Sequence, residues 1–117
     1  MKGYRREDRV AELLLEEISA IVMRELKDPR VSGVTITGVK VSPDLGYAKV
    51  FYISTFGNND EAGEGLRHSA GFIRYELKKR LSLRHIPQLN FIYDDSFDYG
   101  ERIDRLIEEI EEGEGDE

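Results

Sequence analysis

Residues 69–87 read SAGFIRYELKKRLSLRHIP and hold Arg74, Lys78, Lys79, Arg80 and Arg84 against one acid, Glu76. Side chains of this kind neutralise phosphate, and each phosphate so contacted adds a salt-dependent increment to affinity. The small residues Ser69, Ala70 and Gly71 interrupt a helical pattern just before the cations. A break of that kind lets a phosphate backbone come close, and the start of a helical segment favours an anion. On a continuous helix Arg67, Arg74 and Lys78 fall near one face, whereas Lys79, Arg80 and Arg84 leave that stripe. Two readings stay open on these residues alone: a kinked helix with a solvated charged face, and an RNA contact. Lys2, Arg5, Arg6 and Arg9 form a second basic cluster. It reads either as a solvated terminus or as a phosphate-binding arm, since cations at a helix N-terminus are mildly unfavourable there.

Other chemistries are poorly provided for. Cysteine is absent, which excludes disulfides, thiolate metal sites and a cysteine nucleophile. His68 and His85 stand seventeen positions apart with no Gly-x-Ser-x-Gly elbow, and read as solvated or packing residues. Asp94, Asp95 and Asp98 suggest a metal loop. An EF-hand alignment from Asp94 fails, however, at Tyr99, where glycine is required, and at Arg105, where the closing glutamate belongs. Asp94 or Asp95 with Ser96 fits a turn or helix cap better. No P-loop or dinucleotide glycine pattern occurs. No enzyme, cofactor or metal is expected. Tyr47, Phe51 and Tyr52 have the character of base-stacking aromatics, but their alternation with Val50 and Ile53 points to core packing.

The elements that must position these groups follow from periodicity. Residues 5–27 carry Val10, Leu13, Leu14, Ile18, Ile21 and Val22 at helical spacing, closed by Asp28-Pro29. Residues 33–41 and 47–55 read as strands joined by the turn SPDLG, with Gly46 placed for positive φ. Residues 57–65, GNNDEAGEG, read as a polar loop leading to a short helix. The helical pattern then runs to about Leu83, with Ile73, Leu77 and Leu81 four residues apart. Residues 88–93 form a third strand, and Ile103, Leu106, Ile107 and Ile110 mark a short acidic helix. The order predicts an α+β domain with two helices on one face of a three-stranded sheet. The long crossover between the second and third strands allows a parallel pair.

Charge divides this chain of 117 residues. Residues 94–117 carry twelve acids against Arg102 and Arg105, while residues 1–93 carry fifteen bases against twelve acids. A mildly basic body and an acidic tail thus make up the net −7, an asymmetry common among nucleic-acid partners. No signal-like or membrane-spanning apolar run is present, so a soluble cytoplasmic monomer with no membrane contact is expected.

Four stretches together resemble a known family: RVAELLLEEISAIVMRELKDPRV (9–31), VKVSPDLGYAKVFYI (39–53), SAGFIRYELKKRLSLRHIPQLNFIYDDS (69–96) and RIDRLI (102–107). The run from GFIR through P-x-L-x-F-x-Y-D-x-S is the specific part. The chain is similar to the ribosome-binding factor A family, bacterial assembly factors of the small ribosomal subunit. The resemblance implies a type II KH-like domain over 1–97, α-β-β-α(kinked)-α-β, followed by an acidic helix and tail over 98–117. It implies binding to the small subunit and its 16S rRNA, late assembly, maturation of the 5′ end of that RNA, and growth in the cold. In this family an Ala-x-Gly break replaces the KH Gly-x-x-Gly loop; here the positions read Ser69, Ala70 and Gly71. The RNA contacts then expected are Arg5, Arg6, Arg9, Arg67, Ser69, Ala70, Gly71, Arg74, Lys78, Lys79, Arg80 and Arg84. The alternative is a protein-interaction module that docks a basic partner through the acidic C-terminal helix.

Overall fold

The computed structural model describes residues 5–55, 58–96 and 98. Its elements run α1 (Arg6–Arg24), a 3-10 turn (Pro29–Val31), β1 (Val34–Val41), β2 (Tyr47–Ser54), α2 (Asn59–His68), α3 (Ala70–Arg80) and β3 (Gln88–Tyr93). The sheet order is β1-β2-β3, with β1 antiparallel and β3 parallel to the central β2. This is the α+β arrangement expected, including the parallel pair across the helical crossover. The acidic helix and tail expected over 98–117, and Lys2, lie outside the described residues, Asp98 apart. No described helix is long and apolar enough to cross a membrane.

One sheet face carries the core. Ala48, Val50 and Tyr52 of β2, Phe91 of β3, and Ile36 and Val41 of β1 are buried beneath the helices. Val10, Leu14, Ile18, Ile21 and Val22 of α1 meet them, as do Ala62 and Leu66 of α2 and Ile73 and Leu77 of α3. The three- and four-residue spacing on α1 makes this stripe, and Asp8 closes its start by accepting the Arg5 N–H at 3.2 Å. Alternation puts Tyr47, Lys49 and Phe51 on the opposite face. Tyr52 packs as expected, edge-on to Tyr93 with centroids 6.1 Å apart. Tyr47 and Phe51 do not join it: Tyr47 is 64% exposed and Phe51 half-buried.

Three further expectations are corrected. Residues 59–68 form a full helix rather than mostly loop, because the Asn58 side chain accepts from the Asp60 and Glu61 N–H groups at 2.8 and 3.2 Å. Helix α3 stops at Arg80, not Leu83, where the chain becomes extended at Leu81. That change lets Leu81, Leu83 and Ile86 all turn toward the core before Pro87. In the SPDLG turn the positive φ falls on Leu45 (62°), not on Gly46. Asp44 dictates this by accepting both the Ser42 hydroxyl at 2.7 Å and the Gly46 N–H at 2.9 Å.

Two glycines set how α2 sits. A Cβ on Gly63 would run into the Tyr52 hydroxyl, which donates to the Asn59 carbonyl at 3.2 Å. A Cβ on Gly65 would lie 2.8 Å from Val31 Cγ1 and 3.1 Å from Arg30 Cβ. The turn that Gly65 meets is made rigid by Asp28, which accepts the Arg30 N–H at 2.9 Å and Arg30 Nη2 at 2.7 Å. Those bonds, the side-chain one foremost, hold the Asp28 carboxyl at about 2, below its ordinary 3.8.

Gly65→Ala should therefore lose about 1–3 kcal/mol of stability by overpacking, read from thermal melts. The lowered Asp28 pKa means that its contribution is complete above 3.8 and disappears as pH falls toward about 2. Asp28→Asn, which keeps the cap oxygen, should be less stable than the parent at neutral pH. That difference should shrink through this acid window in melts taken as a function of pH.

Candidate nucleic-acid interface

The interruption between α2 and α3 is a single residue. Ser69 has φ −91° and ψ 1°, caps the end of α2 and begins α3. Its N–H donates to the Gly65 and Leu66 carbonyls at 3.0 and 3.1 Å, and its carbonyl accepts the Ile73 N–H at 2.9 Å. Ala70 and Gly71 already belong to α3. Ala70 packs against the core, while Gly71 is exposed with nothing within 4 Å of where a Cβ would stand. The bend is thus held by backbone bonds, and it offers a bare stretch of helix to the outside.

Beside Gly71 runs a groove of about 440 Å³ lined by Gly71, Arg74, Tyr75, Lys78, Leu83, Arg84, His85 and Ile86. One wall is α3 and the other is the extended segment 81–87. Arg74 ties the walls together, donating from Nη2 to the Ile86 carbonyl at 3.0 Å and from Nε to the Pro87 carbonyl at 3.3 Å. A guanidinium has five N–H donors, so this leaves donors and the full charge for a ligand. The side chains of Lys78 and Arg84 are exposed and make no hydrogen bond or ion pair within the described residues. Arg84 also lines an adjoining recess of about 330 Å³ that includes Arg6, Val10, Gly46 and Gln88. The N-terminal cluster and the α3 cluster, separate in sequence, thereby meet at Arg84 through Arg6.

The other expected residues are placed differently. Arg80 lies among three carboxylates, 3.4 Å from Glu17, 3.4 Å from Glu25 and 3.5 Å from Glu76. It clips α3 to α1 and is turned from the groove. Lys79 pairs with Glu76 at 3.1 Å and sits 5.1 Å from the Tyr75 ring centroid. Arg67 donates to the Phe91 carbonyl at 3.3 Å, covering the outer edge of β3. Arg5 stands 3.8 Å from Glu7. Arg9 is exposed on α1 and does not line the groove.

Tyr75 and His85, neither of them expected at the site from the sequence, both line the groove. Tyr75 is 62% exposed, and Phe72 beside it is 42% exposed. The signal was present in FIRYELKKR, where Tyr75 stands next to Arg74 and three residues before Lys78. Exposed aromatic faces among cations suit stacking on unpaired bases. Asp94 is a turn former, accepting from the Ser96 N–H at 3.1 Å and the Thr37 hydroxyl at 2.6 Å. The Ser96 hydroxyl, which also donates to Asp94 Oδ1, does most to hold its carboxyl below the usual range, followed by the Thr37 hydroxyl. No cluster of three metal-type ligands forms among the described residues.

Because Gly71 faces open space in a helix, Gly71→Ala should raise stability by about 0.5–1 kcal/mol, seen as a higher melting temperature.

The family model described as ribosome-binding factor A matches residues 6–107. A curated relative, ribosome-binding factor A of Syntrophobacter fumaroxidans, is 49% identical over 115 residues, 95% of this chain and 98% of the relative. The crystal structure of ribosome-binding factor A from Thermus thermophilus superposes with TM-score 0.71 at 22% identity, covering 74% of this chain and 93% of that one. A homology model of the Thermus thermophilus factor, fitted into a cryo-EM map of a 30S–RbfA complex, superposes with TM-score 0.57. It is 27% identical and covers 77% of this chain and 92% of that one.

Proposed function

The chain belongs to the ribosome-binding factor A family, and from that membership we propose that it binds the small ribosomal subunit and assists its late assembly. RNA enters the groove between α3 and segment 81–87. Lys78, Arg84 and Arg6 neutralise phosphates, Arg74 braces the walls and adds charge, and Gly71 allows the RNA backbone to approach the helix. Tyr75 stacks on a base. The observation that carries this reading is the pair of cations, Lys78 and Arg84, unpartnered among the described residues and lining the two walls of a groove with an exposed tyrosine.

Gly-x-x-Gly is absent from the sequence, so the surface is a fixed platform and not the four-nucleotide clamp of ordinary KH loops. The protein acts by occupying and reshaping rRNA, with no bond made or broken. In this role it works in the cytoplasm as a monomer, and promotes maturation of the 5′ end of 16S rRNA and growth in the cold. Arg80 is left out of the RNA contacts because its charge is already met by Glu17, Glu25 and Glu76.

Lys78→Glu with Arg84→Glu should abolish cosedimentation with purified small subunits while the melting temperature is retained. Cells relying on that variant should accumulate 16S rRNA with an unprocessed 5′ end. Arg80→Ala should instead cost about 1 kcal/mol of stability and leave subunit binding near the parent. Gly71→Ala should bind more weakly despite being more stable. Full cosedimentation of the folded Lys78/Arg84 variant would move the RNA contact elsewhere.

A further inference from the structure

The sheet face turned away from the helices is unexplained by the groove. Its central column is Tyr47, Lys49 and Phe51 on β2, aromatic, cation, aromatic. Lys49 stands directly opposite Lys40 of β1 in the antiparallel register, and beside Asn90 of β3 in the parallel one. Like charges directly across a strand pair destabilise a sheet. Both lysines are exposed, and neither has an ion-pair partner among the described residues. Asp44 in the adjoining turn is taken up by Ser42 and Gly46. Phe51 stands opposite Gly38, over which there is open space, so one flank of its ring is uncovered.

At the Tyr47 end the surface dips into a recess of about 230 Å³ lined by Lys40, Val41, Ser42, Pro43, Tyr47 and Lys49. Two lysines demand an anion, and a tyrosine 64% exposed beside them offers a flat apolar face. An aspartate or glutamate side chain satisfies a lysine but carries no flat face for the ring. A nucleotide satisfies both, its phosphates on the lysines and its base on the ring. The approach is continuous with the first site. Gln88 pairs with Tyr47, its N–H donates to the Gly46 carbonyl at 2.9 Å, and Gln88 and Gly46 share the recess that holds Arg84 and Arg6.

We propose that the open sheet face is a second RNA contact, at which unpaired RNA leaving the groove past Arg84 stacks a base on Tyr47 with its phosphates on Lys40 and Lys49. It rests on the reading that the groove binds RNA, and adds that the ligand is single-stranded where it rounds the Gln88 end of the sheet. The test is a fluorescence-anisotropy titration of the full chain with an unstructured oligoribonucleotide of about twelve nucleotides, within the span such surfaces cover. A blunt duplex RNA and purified small subunits are titrated in parallel. Tyr47→Ala should weaken binding of the single strand about tenfold and leave the duplex unchanged. Tyr47→Phe should bind like the parent, and Lys40→Glu with Lys49→Glu should weaken the single strand further. These residues are exposed, so melting temperatures should stay near the parent's and exclude misfolding. Unchanged single-strand affinity in Tyr47→Ala, with loss in Lys78→Glu, would overturn this second contact and leave the groove standing. Weaker subunit binding in Tyr47→Ala with unchanged oligonucleotide binding would overturn it in favour of a protein occupant. A parent chain that binds neither oligonucleotide nor subunit would overturn both readings together.

Discussion

The close seat of α2 governs the rest of the molecule. Two glycines on different sides of the helix allow it, Gly63 against the Tyr52 hydroxyl of the sheet and Gly65 against Val31 of the 3-10 turn. A side chain at either place would push the helix outward, and Ala62 and Leu66 would then lose their burial. The seat also fixes where α2 ends, at the carbonyls of Gly65 and Leu66 that receive the Ser69 N–H. From that point the direction of α3 is set, and with it the wall that carries Gly71, Arg74, Tyr75 and Lys78. Glycines that weaken the helix by propensity are thus the ones that place the groove. Gly71, by contrast, is free of internal constraint and open to whatever approaches from outside.

The cations of the chain divide by what they face. Arg30, Arg67, Arg74 and Arg80 are spent wholly or partly on the fold: on Asp28, on the Phe91 carbonyl, on segment 81–87, and on Glu17, Glu25 and Glu76. Arginine suits these tasks because its planar, many-donor head can hold several acceptors at once. Lys78, Arg84, Lys40 and Lys49 have no such employment among the described residues. Unlike the ion-paired groups, they give up no protein partner on meeting phosphate.

Much of this is legible in the sequence itself. The strands are rich in β-branched and aromatic residues, α1 has a clean stripe, and Pro29 and Pro87 punctuate the chain. Helix α2 was not legible because Gly63 and Gly65 read as loop, and only their neighbours in space reveal a packing role. Arg80 and Lys78 are equivalent in a list of charges. What separates them is that Glu17 and Glu25, more than fifty residues away, come to one and not the other. Tyr75 and His85 were missed because a groove has two walls, and the segment 81–87 that makes the second was read partly as helix. Tyr47 and Phe51 were misassigned because alternation shows that two faces exist without saying which is covered. The helices decide that, and they lie over Tyr52.

The RNA contact proposed for the groove is less paradoxical in an acidic protein than the net charge suggests. At physiological salt, interactions between exposed charges fade over about 8 Å. A phosphate in the groove therefore responds to Lys78, Arg84 and Arg74, which line it, and not to the total of −7. One acidic cluster among the described residues, Glu17, Glu25 and Glu76, has Arg80 at its centre, and Lys79 pairs with its Glu76. Arg80 so placed does two things. It fastens α3 to α1, and it offsets part of the charge of three carboxylates. A charge reversal at Arg80 would then weaken RNA binding at a distance without Arg80 touching RNA, whereas neutral substitution would act mainly on the fold.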